Sequence, residues 1–230
     1  MKEKIIIIGA GPNARLAYEF IQSHRLYDVV GFAVNEEYKK NDEFYGMPLY
    51  SIENLKNIFN LNEVKVFVAL LWNRLNSDRK KLYNDLKNEG FIFANLISPF
   101  STVRTGKIGE NVWIHDFCVV QDSVEIGDNV AIMAQSLIGN NAIIKNHCFL
   151  GAKSTIGGGS VIGEQTFVGI NCTVFDDTTV GEKCILGACT AVKRNVPDYS
   201  LYKTSSDDIV IKQYDKDVIE SKLQFKKNKR

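Results

Sequence analysis

From Ile108 to Val192 a branched aliphatic residue recurs at every sixth position, fifteen times without a slip. Four residues after each one stands a small side chain, from Val112 through Cys148 and Ser160 to Val196. Self-similarity at a period of six is the signature of a parallel β-helix built from hexapeptide repeats. Three hexads make one triangular coil of eighteen residues. The aliphatic residue fills the interior, and the small one lets the chain turn the corner. Glycine follows the aliphatic position in nine of the fifteen repeats, which predicts the tightest point of the corner and a positive φ there. Five coils stacked at the usual strand spacing of about 4.8 Å form a column roughly 24 Å tall.

The first hundred residues follow other periods. Residues 2–9 read as a buried strand ending in Ile5-Ile6-Ile7-Ile8-Gly9. A glycine turn, Gly9-Ala10-Gly11-Pro12-Asn13-Ala14, leads into a helix patterned on Leu16, Phe20 and Ile21. Strand, glycine turn and helix open a Rossmann-like βαβ unit, whose helix N-terminus suits a phosphate. Geometry alone also accounts for glycine in such a turn. A second strand, Val29–Val34, ends at Asn35 where a ribose-binding acid of a dinucleotide enzyme is expected, so NAD(P) use is disfavoured. Ser51 is placed to cap a helix through Leu55 and Ile58. A third strand runs over residues 64–70, a helix over 77–88 stopped by Gly90, and a fourth strand over 91–97. Ser98-Pro99 then breaks the chain.

Three segments follow: 1–100, an α/β Rossmann-like domain; 101–200, a parallel β-helix; and 201–230, a tail. Residues 200–210 read as irregular. Asp215 to Phe225 reads as a short amphipathic helix that packs on the column or caps its open end.

Charge adds little. The net charge is +1, which argues against a nucleic-acid role, and the basic run Lys226–Arg230 reads as a solvated tail. No apolar run approaches the ~18 residues of a membrane span. Four of the five cysteines (Cys118, Cys148, Cys172, Cys184) hold the small interior position, and no spacing resembles a metal site. A reducing, cytoplasmic setting fits.

The whole chain resembles the sialic-acid O-acetyltransferase and bacillosamine N-acetyltransferase (NeuD/PglD-type) family. The motifs are Ile5–Gly11, Val30-Gly31-Phe32, the stretch from Gly90-Phe91 to Ser98-Pro99, and the hexads. The resemblance implies a left-handed β-helix, homotrimers with sites between subunits, and acetyl transfer from acetyl-CoA to a nucleotide-linked sugar in surface glycan synthesis. It implies acetyl-CoA contacts at Ile170 and Ala188, and at Phe149, where relatives carry a histidine. Gly151, Gly169 and Gly187 stack on one edge, one per coil, and leave room for a pantetheine arm against the backbone, although the needs of the corner alone also account for them. It implies sugar-nucleotide contacts at Gly9, Gly11, Pro12, Asn13, Ala14 and Asn35, although acids of the relatives are missing at Val34 and Asn35.

The family's general-base histidine aligns with Asn140, followed by Asn141. An asparagine amide takes no proton near neutral pH, whereas histidine, with a pKa of about 6.5, does. General-base help is typically worth 10²- to 10⁴-fold. The eighteen-residue coil puts His115, His147 and Asn140 on three different edges, so within one subunit neither histidine reaches the Asn140 position. Three routes stay open. His115 or His147 serves across a trimer interface. The acceptor amine arrives unprotonated and needs no base, with Asn140 orienting it. Or the chain is an inactive homologue that binds a sugar nucleotide or assembles with an active partner. An acyl donor other than acetyl-CoA is a further option.

Overall fold

The computed structural model describes residues 2–204 and 209–221, arranged as two compact units. The first unit holds residues 1–71 and 79–96; the second holds 72–78 and 97–230.

The first unit is built on a sheet of five strands. In chain order they are β1 (Lys4–Ile8), β2 (Asp28–Val34), β3 (Glu43–Phe44), β4 (Met47–Ser51) and β5 (Val64–Val68). Their spatial order is β3-β4-β2-β1-β5. β1 pairs in parallel with β2 and with β5, and β2 with β4. Helix α1 (Pro12–His24) connects β1 to β2, with Pro12 at its first turn, where a missing N–H costs nothing. Ile5, Ile6, Ile7 and Ile8 are fully buried, as expected for a central parallel strand covered on both faces.

Two expectations fail here. Residues 47–51, which end at the serine expected to cap a helix, form strand β4. Pro48 obscured it, yet the β2 pairing begins just after, at Phe32↔Leu49, so the missing N–H is not needed. Gly31 makes room for this strand: a Cβ there would stand 2.6 Å from Tyr50 Cε2 and 2.7 Å from Pro48 O. Ser51 makes no side-chain cap; its hydroxyl donates to Glu53 instead. The following helix, α2, is four residues, Leu55–Ile58. The strand expected over 91–97 is reduced to a single bridge, Val66↔Phe93, and a separate pair, Leu96–Ile97. Between them the Asn95 carbonyl accepts from the Tyr27 hydroxyl at 3.0 Å, a side-chain bond in place of a ladder bond. Helix α3 (Ser77–Asn88) lies where expected.

The second unit is the column. Two-residue strands repeat every six residues and pair in parallel with the strand eighteen residues on, as Ala131↔Phe149, Leu137↔Thr155 and Ile143↔Val161 show for its three faces. This fits a left-handed β-helix. Fourteen of the fifteen aliphatic positions are buried, Ile108 at the first coil packing only partly against the core. All fifteen small positions are buried too. Five of the six hydroxyls among them donate to corner carbonyls of the same column, as Ser136 to Met133 O at 2.8 Å, Ser160 to Phe175 O at 2.7 Å and Thr166 to Gly181 O at 2.9 Å, and Ser154 donates to Ser136 Oγ at 3.2 Å. Buried hydroxyls demand such partners.

Positive φ falls elsewhere than expected. It recurs every six residues at Asn111, Phe117, Ser123 and onward to Cys189, two positions after the glycines. Eight of the nine corner glycines are required by space, Gly187 being the exception, where a Cβ would meet nothing nearer than Tyr202 O at 3.3 Å. A Cβ on Gly169 would lie 2.5 Å from Ala188 N, and one on Gly151 would lie 2.7 Å from Ile170 N.

The tail also differs. Ser200–Thr204 is a strand that extends one face, pairing Leu186↔Tyr202, and Ile209–Gln213 pairs antiparallel with it. The period drops from eighteen to sixteen there, with Val196 opposite Val180 and Tyr202 opposite Leu186, which hid the last strand from a six-residue count. Tyr202, fully buried, closes the end of the column and donates its hydroxyl to Ala191 O at 2.9 Å. Helix Lys216–Ser221 falls within the expected span. Its Ile219 packs on an outer face, with Leu75 and Ile185. Leu223, Phe225 and the basic run fall outside the described residues.

Candidate functional site

Each edge of the column carries one pair of corner residues per coil. The edge with Asn140 and Asn141 also bears Asp122, Ser123, Gly158, Gly159, Asp176 and Asp177. Asn140 is exposed, but its carboxamide has a structural duty: Oδ1 accepts the Asp122 N–H at 3.2 Å. Asp176 does the same for Gly158 N–H at 2.6 Å, and on another edge Asn146 does so for Asp128 N–H at 2.9 Å. The Asn140 N–H donates to Gln121 Oε1 at 3.0 Å, and its carbonyl accepts from Gly159 N–H at 2.8 Å. Asn141 holds the left-handed corner at φ 61°, a conformation asparagine tolerates, and its N–H donates to Asp122 O.

His147 stands on a second edge, at another left-handed corner with φ 61°. It is buried. Asn111 Nδ2 donates to Asn129 Oδ1 at 2.6 Å, and Asn129 Nδ2 lies 2.9 Å from His147 Nδ1, so that ring nitrogen is the acceptor. Asn76 Nδ2 donates to the His147 carbonyl at 2.8 Å. The next rung up, Gln165, donates to Ser77 Oγ at 2.8 Å. His147 is thus one rung of a ladder of stacked amides.

The segment that meets these rungs is itself unusual. Trp72, Arg74, Leu75 and Asn76 all have positive φ, and Asn76 N–H reaches Trp72 O at 3.4 Å. Burial holds this left-handed turn in place, Leu75 packing near Ile185 and Ile219. Sustained left-handed backbone costs roughly 1–2 kcal/mol per residue.

The third edge holds His115 and the glycines expected to line acetyl-CoA. His115 stacks on Trp113, with ring centroids 4.5 Å apart. Above it come Gly151, Gly169 and Gly187, with Ala152, Ile170 and Ala188 beside them. On this edge Ile170 is 58% exposed. Phe149 does not face this edge. It is buried on a column face, stacked on Phe167 at 5.2 Å and meeting the Trp72 ring edgewise at 5.0 Å. The structure therefore keeps Asn140, His147 and His115 on separate edges, as the eighteen-residue coil required.

In the first unit, Gly9, Ala10, Val34 and Asn35 line a cavity of about 290 Å³, together with Ile8, Ala33, Tyr38, Ile52, Leu70 and Leu82. It opens over the carboxyl ends of β1, β2 and β5, where the strand order switches direction and open parallel sheets bind ligands. Gly11 and Pro12 face an adjoining cavity of about 520 Å³ with Arg15, Leu16, Glu19 and Phe44. Asn13 and Ala14 lie in the first turn of α1. A residue not foreseen from sequence is Glu53. Its carboxylate accepts the Glu36 N–H at 3.1 Å, the Ser51 hydroxyl and, at 3.4 Å, Asn35 Nδ2. The Ser51 hydroxyl above all, with the backbone donors, holds its pKa below the ordinary value.

Burial pushes the Cys148 thiol up to about 12, and those of Cys172 and Cys184 to about 11. These side chains are packing groups and not nucleophiles. Among the described residues, no helix is long and apolar enough to cross a membrane.

A family profile described as the GMPPB C-terminal domain matches residues 92–199. No curated protein matches the sequence. Among solved structures, the chain is similar to a histidine-to-asparagine variant of perosamine N-acetyltransferase from Caulobacter crescentus, determined in complex with CoA and GDP-perosamine. The identity is 25%, the TM-score 0.79, and the match covers 92% of this chain and 97% of that one. The fold is shared as well with the acetyltransferase domain of PglB from Neisseria gonorrhoeae, at 20% identity and a TM-score of 0.77, over 92% of this chain and 100% of that domain. A structure of that domain in complex with acetyl coenzyme A matches with the same identity and TM-score.

Proposed function

We propose that this protein transfers an acetyl group from acetyl-CoA to the amine of a nucleotide-linked amino sugar, as a step in surface glycan synthesis. The observation that carries this reading is the likeness, over nearly the whole of both chains, to an enzyme whose structure holds CoA and GDP-perosamine. In this reading residues 1–100 are a Rossmann-like nucleotide-sugar domain, 101–200 the acyl-transfer domain and 201–230 its tail. The protein works in the cytoplasm as a homotrimer, with each site completed by a neighbouring subunit. CoA lies along the edge of Gly151, Gly169 and Gly187, where the absence of Cβ atoms lets an extended pantetheine arm approach the backbone, and Ile170 and Ala188 flank it. The sugar nucleotide lies over the turn from Gly9 through Gly11, Pro12, Asn13 and Ala14 toward Asn35.

The chemistry proceeds without a histidine at the Asn140 position. The unprotonated amine attacks the thioester carbonyl, and backbone N–H groups stabilise the oxyanion. The C–S bond then breaks, and the proton lost by nitrogen ends on the CoA thiol. A neutral amine is nucleophilic enough to dispense with a strong base, whereas a hydroxyl acceptor is not, so N-acetylation is favoured over O-acetylation. His115 or His147 of a neighbouring subunit is the remaining candidate for taking the proton.

The absence of a base at Asn140 also favours a second reading, an inactive homologue that binds a sugar nucleotide or partners an active subunit. Isothermal titration with acetyl-CoA, followed by thiol release over a panel of amino-sugar nucleotides, separates the two. Binding and turnover support the enzyme. Binding without turnover on any amino sugar favours the inactive homologue. No CoA binding removes both the glycine edge and the enzyme.

A further inference from the structure

The sugar-nucleotide reading leaves a gap at Asn35. Where a parallel βαβ fold binds a nucleoside, a carboxylate at the end of the second strand commonly accepts the ribose hydroxyls. Here β2 ends at Val34 and Asn35 follows, neither of them acidic. The structure fills the gap from another strand. β4 lies beside β2 in parallel register, with Ser51 opposite Val34. Two residues later the chain brings Glu53 over the end of β2, where it meets Asn35 Nδ2 and the Glu36 N–H.

Resting on the function proposed above, we propose that Glu53 is the ribose-recognising acid of this protein, with its carboxylate accepting the 2′- and 3′-hydroxyls of a nucleoside diphosphate seated in the cavity beneath. Three observations support the assignment. The cavity is lined by both Asn35, which Glu53 touches, and Ile52, its chain neighbour. Its apolar floor of Ile8, Ala33, Val34, Leu70 and Leu82 suits a flat base, and its glycine turn leads to the first turn of α1, where a diphosphate fits. The carboxylate is also aimed and charged in advance. Ser51 and Glu36 both donate to Oε2, while Oε1 takes only the long Asn35 contact and so retains acceptor capacity. Those donors favour the ionised form near neutral pH. Glu53 itself is exposed, so a ribose meets it without displacing packed side chains.

The test compares ribose with deoxyribose. Titrate the full-length protein, wild type and Glu53→Gln, with UDP, GDP and their 2′-deoxy counterparts, and with acetyl-CoA as control. Charge-assisted hydrogen bonds make the expected preference of the wild type for ribose about tenfold. Glu53→Gln should abolish that preference by weakening the ribo forms more than the 2′-deoxy forms, which offer the carboxylate only their 3′-hydroxyl, with acetyl-CoA affinity unchanged. A wild type that binds the diphosphates with no preference, or a variant that keeps it, overturns the assignment while the acetyltransferase reading stands. Acetyl-CoA binding with no binding of either diphosphate overturns both the assignment and the nucleotide-linked acceptor. Asn35→Asp in the Glu53→Gln background returns an acid to the end of β2 and is expected to restore the preference.

Discussion

Asn140 Oδ1 accepts the backbone N–H of Asp122, one coil earlier, at 3.2 Å. Asp176 and Asn146 make the same bond at equivalent corners. Asn140 is thus serving as a corner clamp. Replacing it with alanine removes one exposed hydrogen bond, worth about 0.5–1.5 kcal/mol. Denaturant unfolding of Asn140→Ala should show a loss of that size. If the acceptor amine supplies its own basicity, thiol release should fall less than tenfold; complete loss of turnover would give Asn140 a direct part in the reaction.

How much of this was legible in the sequence follows from which interactions repeat. The column was readable because one steric requirement recurs every six residues from Ile108 to Val192. The three-edge separation of His115, Asn140 and His147 followed from the same count. Strand β4 was not readable, because its pairing with β2 depends on Gly31 lacking a Cβ, a contact between distant residues. Glu53 was missed for the same reason: only that pairing brings it to Asn35. The last strand escaped because the coil shortens by two residues near Val196. Positive φ was assigned to glycine by propensity. The column instead spends its glycines on close approach between coils and lets Asn111, Asn129 and Asn141 take the left-handed corners.

That division of labour separates two glycines of one edge. A Cβ on Gly139 would stand 2.6 Å from Gly158 N, against backbone that cannot move without shifting a coil. A Cβ on Gly158 meets nothing nearer than Asn140 O at 3.3 Å, and its φ is not left-handed. Gly139→Ala is expected to cost about 1–3 kcal/mol, the range of overpacking. At Gly158 the loss of unfolded-chain entropy offsets a slight squeeze, so alanine should change stability by less than about 1 kcal/mol. Paired thermal melts compare the two, and equal losses would contradict the steric account.

The cysteines give a check on the core. Four are buried along the column interior and only Cys189 is exposed. Because burial lifts the Cys148 thiol to about 12 and those of Cys172 and Cys184 to about 11, these groups stay protonated as well as inaccessible at pH 8 to 9. A thiol-specific reagent should label one site per chain in the native protein, lost in Cys189→Ser, and all five after denaturation. The sign is fixed by the raised values: the folded state holds these protons more tightly than the unfolded chain, so stability falls as pH rises past about 9 toward the folded pKa values. Rapid native labelling of more than one site at pH 8 would contradict the packing.

His147 offers the sharpest separation of structure from catalysis. Its Nδ1 takes Asn129 Nδ2 at 2.9 Å, and its backbone is left-handed. Asparagine tolerates that conformation, and its Oδ1 is attached to Cγ just as the ring Nδ1 is, so His147→Asn repeats the rungs that Asn111 and Asn129 already form. It should cost less than about 1 kcal/mol. Alanine removes the acceptor and sits poorly at positive φ, so His147→Ala should lose about 1–3 kcal/mol. Turnover then decides the role. If His147 is a rung alone, His147→Asn retains both its melting temperature and its rate of thiol release. If the ring moves a proton across a subunit boundary, His147→Asn melts normally yet loses on the order of 10²-fold or more in rate, the low end of general-base assistance.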